Sequence, residues 1–169
     1  MTLKDKKNAF VALGKFMGQF SENESVKNPE VLHNDLFFDE YLDLIQLSQS
    51  HNGWFTPEHV FFATRSWADA LTIENLDRWM NAYDLTLVIP KTVGLILAGN
   101  IPLVGFYDFL SVLISGHKVL VKTSSNDQQL LPFLAKYLIA VSPELANYIT
   151  FTDGKLSNFD AIIATGSNN

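Results

Sequence analysis

An α/β fold is predicted for this chain: N-terminal helices over residues 1–84, then a parallel sheet over residues 85–169. Three observations predict it. Up to about residue 84 the apolar residues recur at helical spacing. From Leu85 onward short β-branched runs take over, written LTLVI, VGLILA, KVLVK, YITFT and DAIIAT. Two of the connectors between those runs are long enough to be helices, which makes strand, helix and strand alternate as in a parallel sheet.

The first helix rests on Leu3, Phe10, Leu13, Met17 and Phe20, which fall on one face. SENESVKNPE is a polar loop, and a second helix spans Asp35 to Gln49 with Leu36, Tyr41, Leu44, Ile45 and Leu47 among carboxylates. Thr56-Pro57-Glu58 opens a third helix with a capping hydroxyl, a proline at its first position and an acid near its positive end. Thr72 or Asn75 opens a short fourth, carrying Leu76, Trp79 and Met80. In the second half, Pro102 to Ser115 and Asp127 to Val141 supply the helical connectors. The strands are almost unbroken apolar runs, as in a sheet covered on both faces. The junction between YITFT and DAIIAT is read two ways. Asp153-Gly154 taken alone signals an antiparallel hairpin, whereas a parallel crossover there would be unusually short.

Composition narrows the function. Hydrophobic residues make up 47% and charged residues 18%, a globular balance, and a chain of 169 residues is enough for one core. The net charge of −6 and the absence of a Lys/Arg block argue against a nucleic-acid partner. Between Thr92 and His117 the only formal charge is Asp108, but the glycines, Asn100 and Pro102 fit strand, turn and buried helix better than a membrane span. MTLKDKK has no apolar signal core, and the chain has no cysteine, so a cytoplasmic protein without disulfides is expected. The four histidines, His33, His51, His59 and His117, show no metal-binding spacing, and no metal site is expected.

Ligands of open parallel sheets bind at the carboxyl ends of the strands. Three polar segments fall there. Gly99-Asn100-Ile101-Pro102 follows the VGLILA strand; Asn100 either caps the next helix, started by Pro102, or offers its amide to a developing oxyanion. Lys122 ends KVLVK, either as an ordinary solvated lysine or beside a phosphate or ribose. Gly166-Ser167 ends the last strand, either as a plain loop or as a phosphate-cradling turn.

In this order the three segments resemble the aldehyde dehydrogenase superfamily, most closely its acyl-CoA reductase branch, the fatty acyl-CoA reductases of the bioluminescence type. Ala98-Gly99-Asn100-Ile101-Pro102 keeps the Asn and final Pro of the family's Pro-Trp-Asn-x-Pro turn, without its Pro-Trp. Gly116 to Ser124, GHKVLVKTS, is similar to the Gly-Asn-x-Val-x-x-Lys-Pro-Ser segment, and Thr165-Gly166-Ser167 to the Thr-Gly-Ser turn. The strong part of the likeness covers residues 92 to 169. It implies a Rossmann-like coenzyme domain, of which residues 85–169 would be a partial dinucleotide-binding region, and it favours parallel pairing of the last two strands.

The resemblance also implies roles. Asn100 would donate to the substrate carbonyl. Lys122 would bind the adenosine ribose, with Ser124 of the same motif at the coenzyme, and Gly166 and Ser167 would approach the pyrophosphate. Where NAD-preferring relatives often carry an acid against the ribose 2′-hydroxyl, this chain has Ser125. A neutral side chain does not repel a 2′-phosphate, so NADPH is expected, with NAD(H) as the alternative. The substrate would be an acyl-CoA or other acyl-thioester. The family nucleophile is a cysteine in a second domain beyond the Thr-Gly-Ser turn. With no cysteine, this chain is expected to be the N-terminal part of a larger enzyme and inactive alone. An exposed apolar sheet edge would then favour self-association, as a homo-oligomer. A non-catalytic nucleotide-binding or interaction module of the same ancestry is the competing reading.

Among the remaining residues, Asp39, Glu40 and Asp43 read as a solvated helix face. Asp108 stands alone on an apolar helix, facing water or placed near substrate. Trp54, Trp67 and Trp79 are expected to pack between helices.

Overall fold

The computed structural model describes residues 1–85 and 87–165. Four helices come first: α1 (Leu3–Met17), α2 (Asn34–His51), α3 (Pro57–Ala70) and α4 (Ile73–Met80). They are followed by β1 (Thr92–Ile96), α5 (Phe106–Ile114), β2 (Lys118–Lys122), α6 (Leu130–Val141), a 3-10 turn (Pro143–Asn147), β3 (Ile149–Phe151) and β4 (Ala161–Ala164). The four strands form one parallel sheet in the order β3-β2-β1-β4.

The helix starts follow local chemistry. At α1, the Thr2 hydroxyl accepts from Asp5 N at 3.2 Å while the Asp5 carboxylate accepts from Thr2 N at 2.9 Å, a reciprocal capping box. Thr56 and Thr72 accept from His59 N and Asn75 N in the same way at α3 and α4. Helix α1 is the spine of the molecule. Its Phe16 stacks on Tyr137 of α6 at 4.3 Å and lies against Tyr41 of α2 at 5.7 Å; its Phe10 meets Phe106 of α5 edge-on. One hydrophobic cluster therefore runs from the N-terminal helices onto the sheet.

The sheet is covered unequally. Val93, Leu95, Val119, Val121 and Ile149 share one pleat face, and all are buried. Their neighbours Ile96, Lys118, Leu120, Lys122, Thr150 and Ile162 point to the other face and remain exposed or half-buried. Helices α5 and α6 lie on the same side because each follows a crossover in the same direction. The expectation of a sheet covered on both faces is thus corrected: among the described residues, helices cover only one.

The short junction after β3 is resolved by the same geometry. Strands β3 and β4 lie at opposite edges and both run parallel to their neighbours, so no hairpin forms. Residues 152–160 must cross three strand spacings, ~14 Å, and return to the amino end of the sheet; nine extended residues reach ~30 Å. The connector needs no helix. It passes over the open face, where Leu156 and Phe159 would lie 3.3 and 3.5 Å from a Cβ at Gly94.

Two further expectations are corrected. LTLVI is not a strand: Leu85 and residues 87–89 carry no strand pairing, and Leu87 and Ile89 face solvent just before Pro90. The expected second helix is present, with Phe38, Tyr41, Ile45 and Ser48 on its buried face and Leu36 and Leu47 exposed. Trp54 lies in solvent, whereas Trp67 packs on Phe106 at 4.6 Å.

Candidate functional site

The carboxyl ends of three strands meet at one edge. Ile96 of β1 is in register with Lys122 of β2 on one side and with Ala164 of β4 on the other. The ladder extends past the strand ends: Leu97 N donates to Lys122 O at 3.1 Å, and Thr165 N donates to Ile96 O at 2.9 Å. Chain direction along the sheet reverses between β1 and β4, since β2 and β3 lie to one side of β1 and β4 to the other. That is the topological switch point, the place where open parallel sheets bind their ligands.

The loop after β1 corrects one reading of Asn100. Pro102 does not start α5. Residues 101–105 form a turn, with Val104 N donating to Ile101 O and Phe106 N to Leu103 O, and Gly105 occupies the N-cap position of α5. Leu103, buried and at φ 58°, breaks the helical run; an L-residue in that left-handed region costs ~1 kcal/mol or more, offset here by burial of its side chain. Asn100 is therefore not the cap of the helix. It is exposed, and its amide forms no hydrogen bond with the described residues.

The loop after β2 packs directly on the loop after β1. A Cβ at Gly99 would sit 2.6 Å from Ser124 Cβ and 2.7 Å from Ser124 Oγ, so only glycine permits this approach. Ser124 is itself fixed, its hydroxyl accepting from Asn126 N at 3.2 Å and its carbonyl from Asp127 N at 3.1 Å. Lys122 is half-buried on the open sheet face, and Ser125 is exposed at the tip of the loop. Asn100, Lys122, Ser124 and Ser125 thus gather at one edge of the sheet. Gly166 and Ser167 lie outside the described residues.

Two residues that sequence reasoning did not single out hold this edge together. The Asn52 amide, just past α2, donates to Gly99 O at 3.1 Å and to Asn126 O at 3.2 Å, bridging both loops. Its partners lie 47 and 74 positions away, so no local pattern could have revealed it. Asp127 accepts from Leu130 N at 3.3 Å at the start of α6. Burial pushes its carboxyl above the usual range, while the Leu130 and Gln129 N–H groups pull it back. The positive end of α6 is therefore already answered by a carboxylate. Asp108, in the first turn of α5, is likewise raised by burial. No cluster of metal-binding side chains occurs among the described residues. Among them, too, no helix is long and apolar enough to cross a membrane.

Fold and edge together define an open parallel α/β protein with polar residues gathered at the carboxyl ends of its strands. Residues 73–169 match the family model described as acyl-CoA reductase (LuxC). That is more than half of the chain, which belongs to this family. No curated protein and no solved structure matches it.

Proposed function

We propose that this chain is the coenzyme-binding N-terminal part of an NADPH-dependent reductase that converts an acyl-CoA, or another acyl-thioester, to a fatty aldehyde in the cytoplasm. One observation carries the reading: Lys122 ends β2, and Asn100, Ser124 and Ser125 stand on the two interlocked loops that follow β1 and β2, at one edge of a parallel sheet. In this reading Lys122 and Ser124 hold the adenosine ribose, and Ser125 leaves room and neutral surroundings for the 2′-phosphate. Gly166 and Ser167 approach the pyrophosphate, in keeping with an α6 terminus whose N–H groups serve Asp127. Bound NADPH supplies the hydride. Asn100 donates its amide to the carbonyl oxygen as negative charge develops there.

The chain contains no cysteine, so a thioester intermediate needs a thiol from outside these 169 residues. The same fact favours a second reading, a non-catalytic nucleotide-binding module. The open sheet face, with Ile96 40% and Ile162 48% exposed, supports a homo-oligomer in either case.

Fluorescence titration tests the coenzyme reading. NADPH is expected to bind more tightly than NADH, and Ser125→Asp to weaken NADPH by about tenfold, or ~1.4 kcal/mol, through repulsion of the 2′-phosphate. Equal NADPH binding by wild type and Ser125→Asp would remove Ser125 from the site.

A further inference from the structure

The amino ends of the strands, opposite the coenzyme edge, carry a different feature. A cleft of ≈ 440 Å³ opens between the start of α1, the segment leading into β1, the turn after α5 and Tyr148 ahead of β3. Its size falls within the ~300–1,000 Å³ of small-molecule sites. Leu3, Val88, Pro90 and Ile114 give it apolar walls.

Lys6 also lines this cleft, and only 2% of its surface is exposed. Its ammonium lies 4.1 Å from the centre of the Tyr148 ring. The neighbouring charges are engaged elsewhere: Lys7 pairs with Asp77, the Met1 amino group with Glu144, and Asp5 with Thr2. Among the described residues, Lys6 has the ring as its only partner for charge. An ammonium taken out of water calls for an anion, and an aromatic face replaces one only in part. Burial accordingly holds this lysine well below its usual range, at about 8.

We propose that this cleft binds a small amphiphilic carboxylate, its carboxylate paired with Lys6 and its apolar body laid against Leu3, Val88 and Ile114. Lys6 is the one cation of the described lining without a carboxylate partner, and one such cation fits a monoanion. A phosphate would bring ~1.5–2 charges, and the other cation of the described lining, the Met1 amino group, is already paired with Glu144. The site lies apart from the strand-end loops and does not depend on the coenzyme reading.

Isothermal titration of the 169-residue chain at neutral pH tests this with decanoate and decan-1-ol, both kept below aggregation. Decanoate is expected to bind saturably and at least about tenfold more tightly than decanol, a difference of ~1.4 kcal/mol. Lys6→Met should remove that preference, whereas Lys6→Arg should keep it. Absence of saturable decanoate binding, equal affinity of wild type for the two probes, or undiminished decanoate binding by Lys6→Met would each overturn the proposal. The wild-type comparison decides the matter even if a variant fails to fold.

Discussion

Asn100→Asp is expected to lower acyl-CoA reduction by ~10²–10³, about 3–4 kcal/mol of barrier, when assayed with the polypeptide that supplies the cysteine. The reason is electrostatic. A carboxylate at this position repels the charge that develops on the carbonyl oxygen, whereas an amide N–H stabilises it. Stability should hardly change, within ~0.5 kcal/mol, because Asn100 is exposed and caps no helix. The turn at 101–105 sharpens this test. Had Asn100 capped α5, a loss of turnover could have followed from an altered helix start; with Gly105 at that position, turnover and folding are separable. Near-normal turnover of Asn100→Asp, measured alongside an unchanged melting temperature, would remove Asn100 from the chemistry.

The second large effect concerns Lys6. Lowering its ionisation from 10.5 to about 8 corresponds to a cost of about 3 kcal/mol for the charged form in the folded state. Lys6→Met removes that cost and gives up an ammonium–ring attraction of ~1 kcal/mol. A net gain of ~2 kcal/mol is expected at pH 7, or ~4–8 °C in melting temperature for a chain of this size. The sign of the pH dependence follows from linkage. Between about 8 and 10.5 the unfolded chain binds the proton that the folded chain has released, so wild-type stability should rise with pH across that window. In Lys6→Met this rise should be absent. Melting curves at pH 7 and pH 10 check both statements, and a destabilised Lys6→Met would mean that the lysine has an anionic partner after all.

Elements whose cause is local were legible in the sequence. KVLVK is a strand at the bounds its β-branched run suggested, and Thr56-Pro57 and Thr72 start helices because capping is decided within three residues. LTLVI misled because a β-branched run becomes a strand only where a neighbour offers a ladder, and none reaches Leu87 or Ile89. The start of α5 was misplaced for a related reason. Pro102 is a good first helical residue, but the left-handed Leu103 that postpones the helix depends on burial of its side chain. Of the candidate site, the strand ends were readable as polar stops after apolar runs. The Asn52 bridge and the Gly99–Ser124 contact were not, since each joins residues that only the folded sheet brings together.

In the proposed function the strand-end loops after β1 and β2 hold NADPH. Backbone NMR of the ¹⁵N-labelled chain during an NADPH titration tests it most directly. Saturable shifts of Asn100, Lys122, Ser124 and Ser125 together are expected, with Lys6 and Tyr148 at the opposite end of the sheet unmoved. No saturable shift at millimolar NADPH, or shifts confined to the end that carries Lys6, would contradict it.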